Sequence, residues 1–291
     1  MKILVLGGSG MLGHRLWVDL SKQHDVWVTV RFDASNLPDL PGVDKSHVRS
    51  NVEVLDFDNV IRALASIRPE LVINCVGLVK QHALSNDPLS VIELNARLPH
   101  RLSLICWTAG IRLIHISTDC VFSGKTGNYV EESNSDAEDL YGKSKALGEL
   151  NYPHTLTIRT SIIGRELRTR YGLTEWFLSQ QSPIKGFTNA IFSGFTTQAF
   201  AKILMDYIIP RPDLNGVWQI SSEPISKHDL LNLMKASYKK TIDIIPDGGF
   251  VCDRSLNSFR FRKKTGFIPP SWPAMIDEMA SCPLPYDQWK K

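Results

Sequence analysis

Tyr141 and Lys145, a tyrosine and a lysine four residues apart, are the residues of this sequence best suited to acid–base chemistry. The segment reads Tyr-Gly-Lys-Ser-Lys, and positions i and i+4 share one face of a helix. A nearby ammonium favours an ionised phenol, so Lys145 is expected to lower the pKa of Tyr141 from its reference of about 10. The pair predicts a general acid at neutral pH, although a solvated helix face would show the same spacing.

Two hydroxyl residues, Ser117 and Thr118, follow the apolar run 111–116. The carboxyl ends of parallel strands are where doubly wound sheets bind ligands. Thr118 is therefore predicted to hydrogen-bond a substrate carbonyl that Tyr141 protonates, with Ser117 on the cofactor side and Asp119 on the substrate side. The alternative is that Ser117 and Thr118 only cap the strand or a turn.

A glycine-rich turn follows the first apolar run, Ile3 to Leu6, and precedes a helical pattern. The order strand, glycine turn, helix is the context in which such a pattern binds phosphate, although a plain tight turn is the alternative. The first glycine would permit the turn, the second would admit a pyrophosphate and the third would let helix and strand pack closely. The predicted dinucleotide contacts are Gly7, Ser9, Gly10, Met11, Leu12 and Gly13.

The second predicted strand, 26–30, ends at the position that selects the cofactor. An acid there would bind the ribose 2′-hydroxyl of NAD, whereas a basic residue suits the 2′-phosphate of NADP. Arg31 directly follows the strand, and a guanidinium suits phosphate, so NADPH is favoured over NADH. Asp33 is the competing candidate at almost the same distance from the glycines, and Arg31 could also be an ordinary solvated charge.

Three further segments are predicted to line the cofactor. A short strand, 52–55, would present Asp56 to the adenine, and a buried strand over 71–74 would be followed by a turn. A long amphipathic helix over 88–109 carries a mid-helix asparagine, which either makes a structural hydrogen bond or holds a water beside the catalytic lysine. The turn and helix residues predicted to contact the cofactor are Cys75, Val76, Gly77 and Asn95.

Composition excludes several classes of function. The 291 residues include 33 basic and 30 acidic side chains, a net charge of +3, so nucleic-acid binding is not expected. The apolar N-terminal run is too short for a signal peptide and no stretch suits a transmembrane helix, so a cytoplasmic protein without a membrane partner is expected. Five dispersed cysteines and the histidine spacing predict neither a disulfide framework nor a metal site.

Alternating strands and helices predict an α/β fold, a Rossmann-type doubly wound parallel sheet. This rhythm weakens after Gly164, where prolines and glycines become frequent. We expect a dinucleotide-binding domain over 1–163 that carries the catalytic residues, and a smaller, partly interleaved substrate-binding lobe over 164–291. Strands are expected near 216–220 and 242–245.

In these motifs the sequence resembles the extended short-chain dehydrogenase/reductase family and, within it, the dTDP-4-dehydrorhamnose reductase group. The resemblance covers nearly the whole chain. The segments that carry it are 7–13, 117–122, 141–145, 159–161, 192–196 and 254–258.

The resemblance implies that Thr118 orients a sugar keto group, that Tyr141 donates the proton, and that Lys145 holds the nicotinamide ribose. It implies a nucleotide-sugar substrate and allows a homodimer. Arg254 could bind a diphosphate or make a surface ion pair, and Phe187 could stack on the base or belong to the core.

Two departures from the family pattern affect the expected partners. Arg15 replaces a glutamate found in magnesium-binding relatives, so metal-linked dimerisation is not expected. Lys80 lies in a loop that commonly carries an acid pair in the rhamnose-pathway reductases. The contacts of this loop with the substrate are therefore expected to differ from those in these enzymes. This loop looks more like that of reductases acting on UDP-linked acetamido-dideoxyhexuloses.

Three functions follow as hypotheses. The first is NADPH-dependent 4-keto reduction of a nucleotide-activated 6-deoxyhexulose in deoxysugar synthesis. The second is a nucleotide-sugar epimerase or dehydratase, which normally holds NAD and which Arg31 disfavours. The third is a non-catalytic NADP-binding regulatory subunit, against which the intact Thr118, Tyr141 and Lys145 argue.

Overall fold

A computed structural model describes residues 1–80 and 83–290 of the chain. The strands are β1 (Lys2–Leu6), β2 (Asp25–Thr29), β3 (Val48–Arg49), β4 (Leu71–Asn74), β5 (Arg112–Ile116), β6 (Thr155–Arg159), β7 (Ile162–Ile163), β8 (Ile184–Phe187), β9 (Ala190–Phe192), β10 (Phe195–Thr196), β11 (Gly216–Gln219), β12 (Ile225–Ser226), β13 (Ile244–Asp247) and β14 (Cys252–Asp253).

The helices surround these strands. They are α1 (Gly13–Leu20), α2 (Phe57–Ile67), α3 (Pro88–Ile92), α4 (Leu98–Thr108), α5 (Leu140–Leu147), α6 (Leu173–Ser179), α7 (Thr197–Ile203), α8 (Lys227–Ser237), α9 (Phe259–Thr265) and α10 (Trp272–Ala280). Short 3₁₀ segments cover Ala34–Asn36, Lys45–His47, Ala83–Asn86 and Asp119–Val121, and π-helical segments cover Glu93–Arg97 and Leu204–Ile208.

Seven parallel strands form the central sheet in the order β11-β6-β5-β4-β1-β2-β3. Side chains alternate between its faces: Ile3 and Val5 join one hydrophobic core, whereas Leu4 and Leu6 join the other. Both faces are covered by helices, which explains why the strand sequences are almost continuously apolar. The predicted α/β fold with a doubly wound parallel sheet is confirmed.

The long helix predicted over 88–109 consists of α3, a π-helical segment and α4 in succession. Asp87 caps its start by accepting hydrogen bonds from the amides of Leu89 and Ser90, with Pro88 in the first turn. Asn95 lies inside the π-helical segment. Such segments occur frequently at functional sites.

Two predicted strands differ from the structure. The strand expected at 52–55 is wrong, because β3 ends at Arg49 and Asn51 then adopts a left-handed φ of 56° that interrupts the ladder. The Val52 amide still donates to the Val30 carbonyl at 2.9 Å. Val52 and Val54 are buried, so their apolar alternation reflects core packing. The strand expected at 242–245 begins two residues later, as β13.

The C-terminal third contributes to two regions. β11 is the outer strand of the central sheet, where it pairs with β6. The other strands of this third form small sheets, β12-β9-β14, β13-β8 and β10-β7, and α8 and α10 pack together. The division of the chain at residue 163 stays a prediction.

Candidate active site

Thr118 and Tyr141 meet beyond the carboxyl end of β5. The Thr118 hydroxyl accepts a hydrogen bond from the Cys120 amide at 3.1 Å and donates to Asp119 at 3.1 Å, and it lies close enough to the Tyr141 phenol to affect the pKa of that phenol. A Cβ atom on Gly142 would lie 2.2 Å from the Cys120 carbonyl oxygen, so the first turn of α5 rests directly on this loop. The glycine of the Tyr-Gly-Lys-Ser-Lys segment thus permits the contact.

Lys145 lies one turn further along α5 and is buried. Its ammonium donates to the Ile116 carbonyl at 2.7 Å and lies 3.9 Å from a Cβ built on Gly77. Burial lowers the pKa of Lys145 to about 8, although the nearby Glu149 carboxylate acts in the opposite direction. The Lys145 ammonium is therefore in the protein interior, between the carboxyl ends of β4 and β5.

The expectation that Lys145 lowers the pKa of Tyr141 is wrong in this structure. Burial raises the pKa of the phenol above its usual value, the Cys120 thiol adds to the increase, and the hydrogen bond with Thr118 opposes both. The reason is that burial disfavours the charged phenolate, while the Lys145 ammonium is committed to a backbone carbonyl on the neighbouring strand. Tyr141 consequently keeps its proton at neutral pH.

Asn95 is fully buried and makes structural hydrogen bonds. Its carboxamide oxygen accepts from the Leu78 amide at 2.8 Å, and its nitrogen donates to the Leu78 carbonyl and to the Ser144 hydroxyl. It therefore joins the turn after β4 to α5. A Cβ on Gly77 would lie 3.2 Å from its oxygen, so this amide also borders the space beside Lys145.

Ser117 is held by a buried ion pair that sequence analysis missed. Its hydroxyl donates to Glu149 at 2.8 Å, and Arg159 binds the same carboxylate with two nitrogens at 2.9 and 2.8 Å. Both charged side chains are 8% exposed. The pair ties the end of α5 to β6. Arg159 belongs to the 159–161 segment noted in the sequence, but no sequence pattern joins it to Glu149.

The glycine turn has the geometry of an anion site. Gly7 has a φ of 86°, and the Gly10 amide donates to the Gly7 carbonyl at 3.0 Å. A Cβ on Gly13 would lie 2.1 Å from that same oxygen, so only glycine fits there. Helix α1 begins with no side-chain cap, and although the His14 amide donates to the Gly10 carbonyl at 3.1 Å, the start of a helix favours a bound anion. The turn therefore fits the diphosphate of a dinucleotide.

His14 fixes the shape of this turn and was missed by sequence analysis. Its Nδ1 lies 2.8 Å from the Gly10 carbonyl and must donate, so its Nε2 accepts from the Tyr286 hydroxyl at 2.8 Å. Burial lowers the pKa of His14 to about 4, so the ring is neutral at pH 7. The C-terminal segment thus braces the glycine turn.

Cys75 and Val76 lie beside this turn. The Val76 side chain is 3.2 Å from a Cβ built on Gly7. The Cys75 thiol is buried next to Lys145, and burial raises its pKa to about 12. Both residues therefore border the groove between the glycine turn and Lys145.

The predicted adenosine contacts are exposed at the edge of the sheet. Arg31 follows β2 and is solvent-exposed. Asp33 accepts from the Ser35 amide at 2.8 Å and caps the Ala34–Asn36 turn. Asp56 precedes α2 and accepts from Asn59 at 2.8 Å. Asp33 is therefore occupied by a local capping bond, whereas Arg31 lies at the end of the strand.

The predicted substrate residues approach Tyr141 from two sides. Lys80 forms an ion pair with Asp139 at 2.7 Å, and its ammonium is 5.7 Å from the centre of the Tyr141 ring. Arg254 donates to the Phe122 carbonyl at 2.8 Å and lies 3.7 Å from the Cys120 sulfur. Arg254 is thus next to the catalytic loop, and it makes no ion pair with any residue of 1–80 and 83–290.

Asp119 and Phe187 differ in their surroundings. Asp119 is 6% exposed and accepts from Thr118 at 3.1 Å, so it belongs to the catalytic loop. Phe187 packs against Phe250 with ring centres 5.1 Å apart. No contact in the part of the chain that the structure describes joins Phe187 to the catalytic residues.

Lys227 was not found from the sequence but lies beside the same loop. Its ammonium is 4.2 Å from the centre of the Phe192 ring and interacts electrostatically with Asp119, Cys120 and Arg254. Burial lowers its pKa. Within residues 1–80 and 83–290 it makes no hydrogen bond and no ion pair at 4 Å or less, so Lys227 and Arg254 bring positive charge to the substrate side.

Arg15 has a structural role. It binds Asp19 with two nitrogens and is 9% exposed.

No group of three or more histidine, cysteine, aspartate or glutamate side chains among the described residues could hold a metal ion. The same residues include no helix that is long and apolar enough to cross a membrane.

Comparisons with known proteins add independent findings. A probable low-salt glycan biosynthesis reductase of Haloferax volcanii is 29% identical over 169 residues, covering 56% of this chain and 54% of that protein. Methionine adenosyltransferase 2 subunit beta of Mus musculus is 26% identical over 149 residues, covering 51% of this chain and 41% of that protein. The chain therefore spans about half the length of these curated relatives.

A solved structure of dTDP-4-dehydrorhamnose reductase from Bacillus anthracis, in complex with NADP, shares the fold. It superposes with a TM-score of 0.77 at 20% identity, covering 96% of this chain and 98% of that chain. The family model described as the RmlD substrate binding domain matches residues 1–173, a segment that includes the glycine turn, Thr118, Tyr141 and Lys145. This match confirms the resemblance seen in the motifs: the chain belongs to the RmlD substrate binding domain family of extended short-chain dehydrogenases/reductases.

Proposed function

We propose that this protein reduces the 4-keto group of a nucleotide-activated 6-deoxyhexulose with NADPH. The observation that carries the proposal is the meeting of Thr118, Tyr141 and Lys145 next to a glycine turn that fits a diphosphate. Bound NADPH would supply the hydride. The product would be an activated deoxyhexose.

Tyr141 is the proposed general acid. It holds its proton at neutral pH and donates it to the keto oxygen as negative charge develops there. The Thr118 hydroxyl lies next to the phenol and orients the keto oxygen beside it. Lys145, whose ammonium donates to the Ile116 carbonyl, is assigned to the nicotinamide ribose and not to the phenol.

The proposed cofactor site extends along the edge of the sheet. The amides of the glycine turn hold the diphosphate, and Lys145 holds the nicotinamide ribose next to Cys75, Val76 and Gly77. Arg31 binds the 2′-phosphate of NADP, and this assignment is supported by the local capping role of Asp33. NADH is therefore the weaker cofactor.

The proposed sugar site lies between the ion pair of Lys80 with Asp139 and the two cations Arg254 and Lys227. Two cations beside one loop suit the diphosphate of a nucleotide sugar. The Lys80 loop favours a UDP-linked 2-acetamido-dideoxyhexulose, whereas the family resemblance favours a dTDP-linked sugar. The homodimer stays a prediction.

The test is NADPH oxidation by the purified protein with 4-ketosugars linked to dTDP, UDP or GDP, followed by the loss of reduced-nicotinamide absorbance. We expect turnover with at least one of them, and faster turnover with NADPH than with NADH. If NADPH were not oxidised with any of the three ketosugars, the proposal would be contradicted. Tight NADP⁺ binding without turnover, with a copurifying partner chain, would instead favour a regulatory subunit.

The affinity for NADPH is expected to fall as the pH rises through about 8. Lys145 has a pKa of about 8, so it loses its charge in this range, whereas the raised pKa of Tyr141 keeps the phenol protonated. Fluorescence titration of NADPH at several pH values measures the effect. Tyr141→Phe retains Lys145 and should show the same dependence. An affinity that stays constant well above pH 8 would exclude Lys145 as its source.

A further inference from the structure

The loop between β7 and α6 has a fixed shape. The Glu166 carboxylate, on a residue that is 6% exposed, accepts from the Thr169 hydroxyl at 2.7 Å and from the amides of Tyr171 and Gly172 at 3.0 and 2.7 Å. Arg165 anchors the start of the loop through an ion pair with Glu175 at 2.8 Å. Three donors on one buried carboxylate hold residues 166–172 in a single arrangement.

This loop extends from the glycine turn to the region beyond β2. At one end, a Cβ on Gly172 would lie 3.5 Å from the Met11 sulfur. At the other, the Arg168 guanidinium donates to the Asn36 carbonyl at 2.6 Å and lies 4.0 Å from the centre of the Phe32 ring. The second half of the chain therefore reaches across the groove that would hold the adenosine half of a dinucleotide.

The charge at this place is positive and unbalanced. Arg31 and Arg168 have no carboxylate partner among residues 1–80 and 83–290, and Asp33 is engaged with the Ser35 amide. A carbonyl and an aromatic ring leave most of the five guanidinium donors of Arg168 available. Two guanidinium groups without carboxylates therefore flank the end of β2, where a dinucleotide fold contacts the ribose 2′ position.

We infer that Arg168 is a specificity-determining residue that binds the 2′-phosphate of an adenosine ribose together with Arg31. This inference rests on the proposed NADP site. A guanidinium fork matches a phosphate with two parallel hydrogen bonds. The diphosphate is a poorer candidate, because it belongs at the glycine turn, whereas Arg168 contacts Phe32 and Asn36 beyond the strand.

The test is isothermal titration calorimetry of the full chain with 2′,5′-ADP and with 5′-AMP, two probes that differ only in the 2′-phosphate. Arg168→Ala is expected to weaken 2′,5′-ADP binding by roughly tenfold or more and to change 5′-AMP binding by less than about twofold. Arg168→Lys should restore part of the difference, since it retains the charge without the fork. Arg170→Ala is the matched control, an exposed arginine of the same loop, and should behave as wild type.

The possible outcomes separate this inference from the proposed function. If wild type prefers 2′,5′-ADP and Arg168→Ala keeps that preference, the inference is wrong and the NADP site stands. Equal weakening of both probes would assign Arg168 to the adenine or to loop structure and would also overturn it. If wild type binds both probes equally, the 2′-phosphate site itself fails. If Arg168→Ala loses the preference for 2′,5′-ADP over 5′-AMP, the role of Arg168 is supported. If wild type also reduces no ketosugar, the reductase proposal fails while the role of Arg168 stands.

Discussion

Tyr141→Phe is expected to lower kcat by about 10²–10⁴-fold while leaving the dissociation constant of NADPH within about a factor of two. The phenol proton is needed only as negative charge develops on the keto oxygen, so its removal affects the transition state and not cofactor binding. Burial keeps this proton on Tyr141 at neutral pH.

Single-turnover kinetics and NADPH fluorescence titration measure the two effects separately. Tyr152→Phe is the matched control, because this tyrosine is 44% exposed on the surface and its loss should leave kcat unchanged. If Tyr141→Phe retained wild-type turnover, another group would have to supply the proton. If NADPH affinity fell as far as kcat, Tyr141 would act mainly by shaping the cofactor site.

Features fixed by local sequence could be predicted. The glycine spacing 7, 10 and 13 has a local steric cause, since a Cβ on Gly13 would collide with the Gly7 carbonyl 2.1 Å away. The continuous apolar runs of β1 and β4 require helices on both sides of the sheet, and this requirement gave the correct fold class. The helix that carries Tyr141 and Lys145 was expected from their i, i+4 spacing, and it is α5.

Features that depend on contacts between distant segments could not be predicted. The ion pair of Glu149 with Arg159 links α5 to β6, and Lys227 reaches the catalytic loop from a helix more than a hundred residues away in sequence. The pKa of Tyr141 shifted in the opposite direction from the expectation, because the i, i+4 rule accounts for proximity on a helix and not for burial. In the strand expected at 52–55, a single left-handed residue, Asn51, outweighed the apolar alternation.

Gly13→Ala is expected to abolish NADP⁺ binding and to lower the free energy of unfolding by about 1–3 kcal/mol or more. The added Cβ would lie 2.1 Å from the Gly7 oxygen and 2.8 Å from the Gly7 carbonyl carbon, and backbone atoms cannot move aside as a flexible side chain could. Alanine is a better helix former than glycine by roughly 0.8–1 kcal/mol, which offsets only part of this clash. Denaturant unfolding and calorimetry with NADP⁺ measure both effects.

Gly10→Ala separates the fold of the turn from its function. A Cβ there would lie 3.3 Å from the nearest heavy atom, the Gly7 oxygen, against 2.1 Å for Gly13, so the free energy of unfolding should fall much less than in Gly13→Ala. The methyl group would still occupy the space through which a diphosphate approaches the backbone, so NADP⁺ binding should weaken strongly. Gly248→Ala, with neighbours at 3.5 and 3.6 Å and no place in the turn, should affect neither property. Normal NADP⁺ binding by both variants, Gly10→Ala and Gly13→Ala, would mean that this turn holds no diphosphate, because the Gly10 methyl group would enter the space that the anion requires and the Gly13 methyl group would displace the backbone that shapes it.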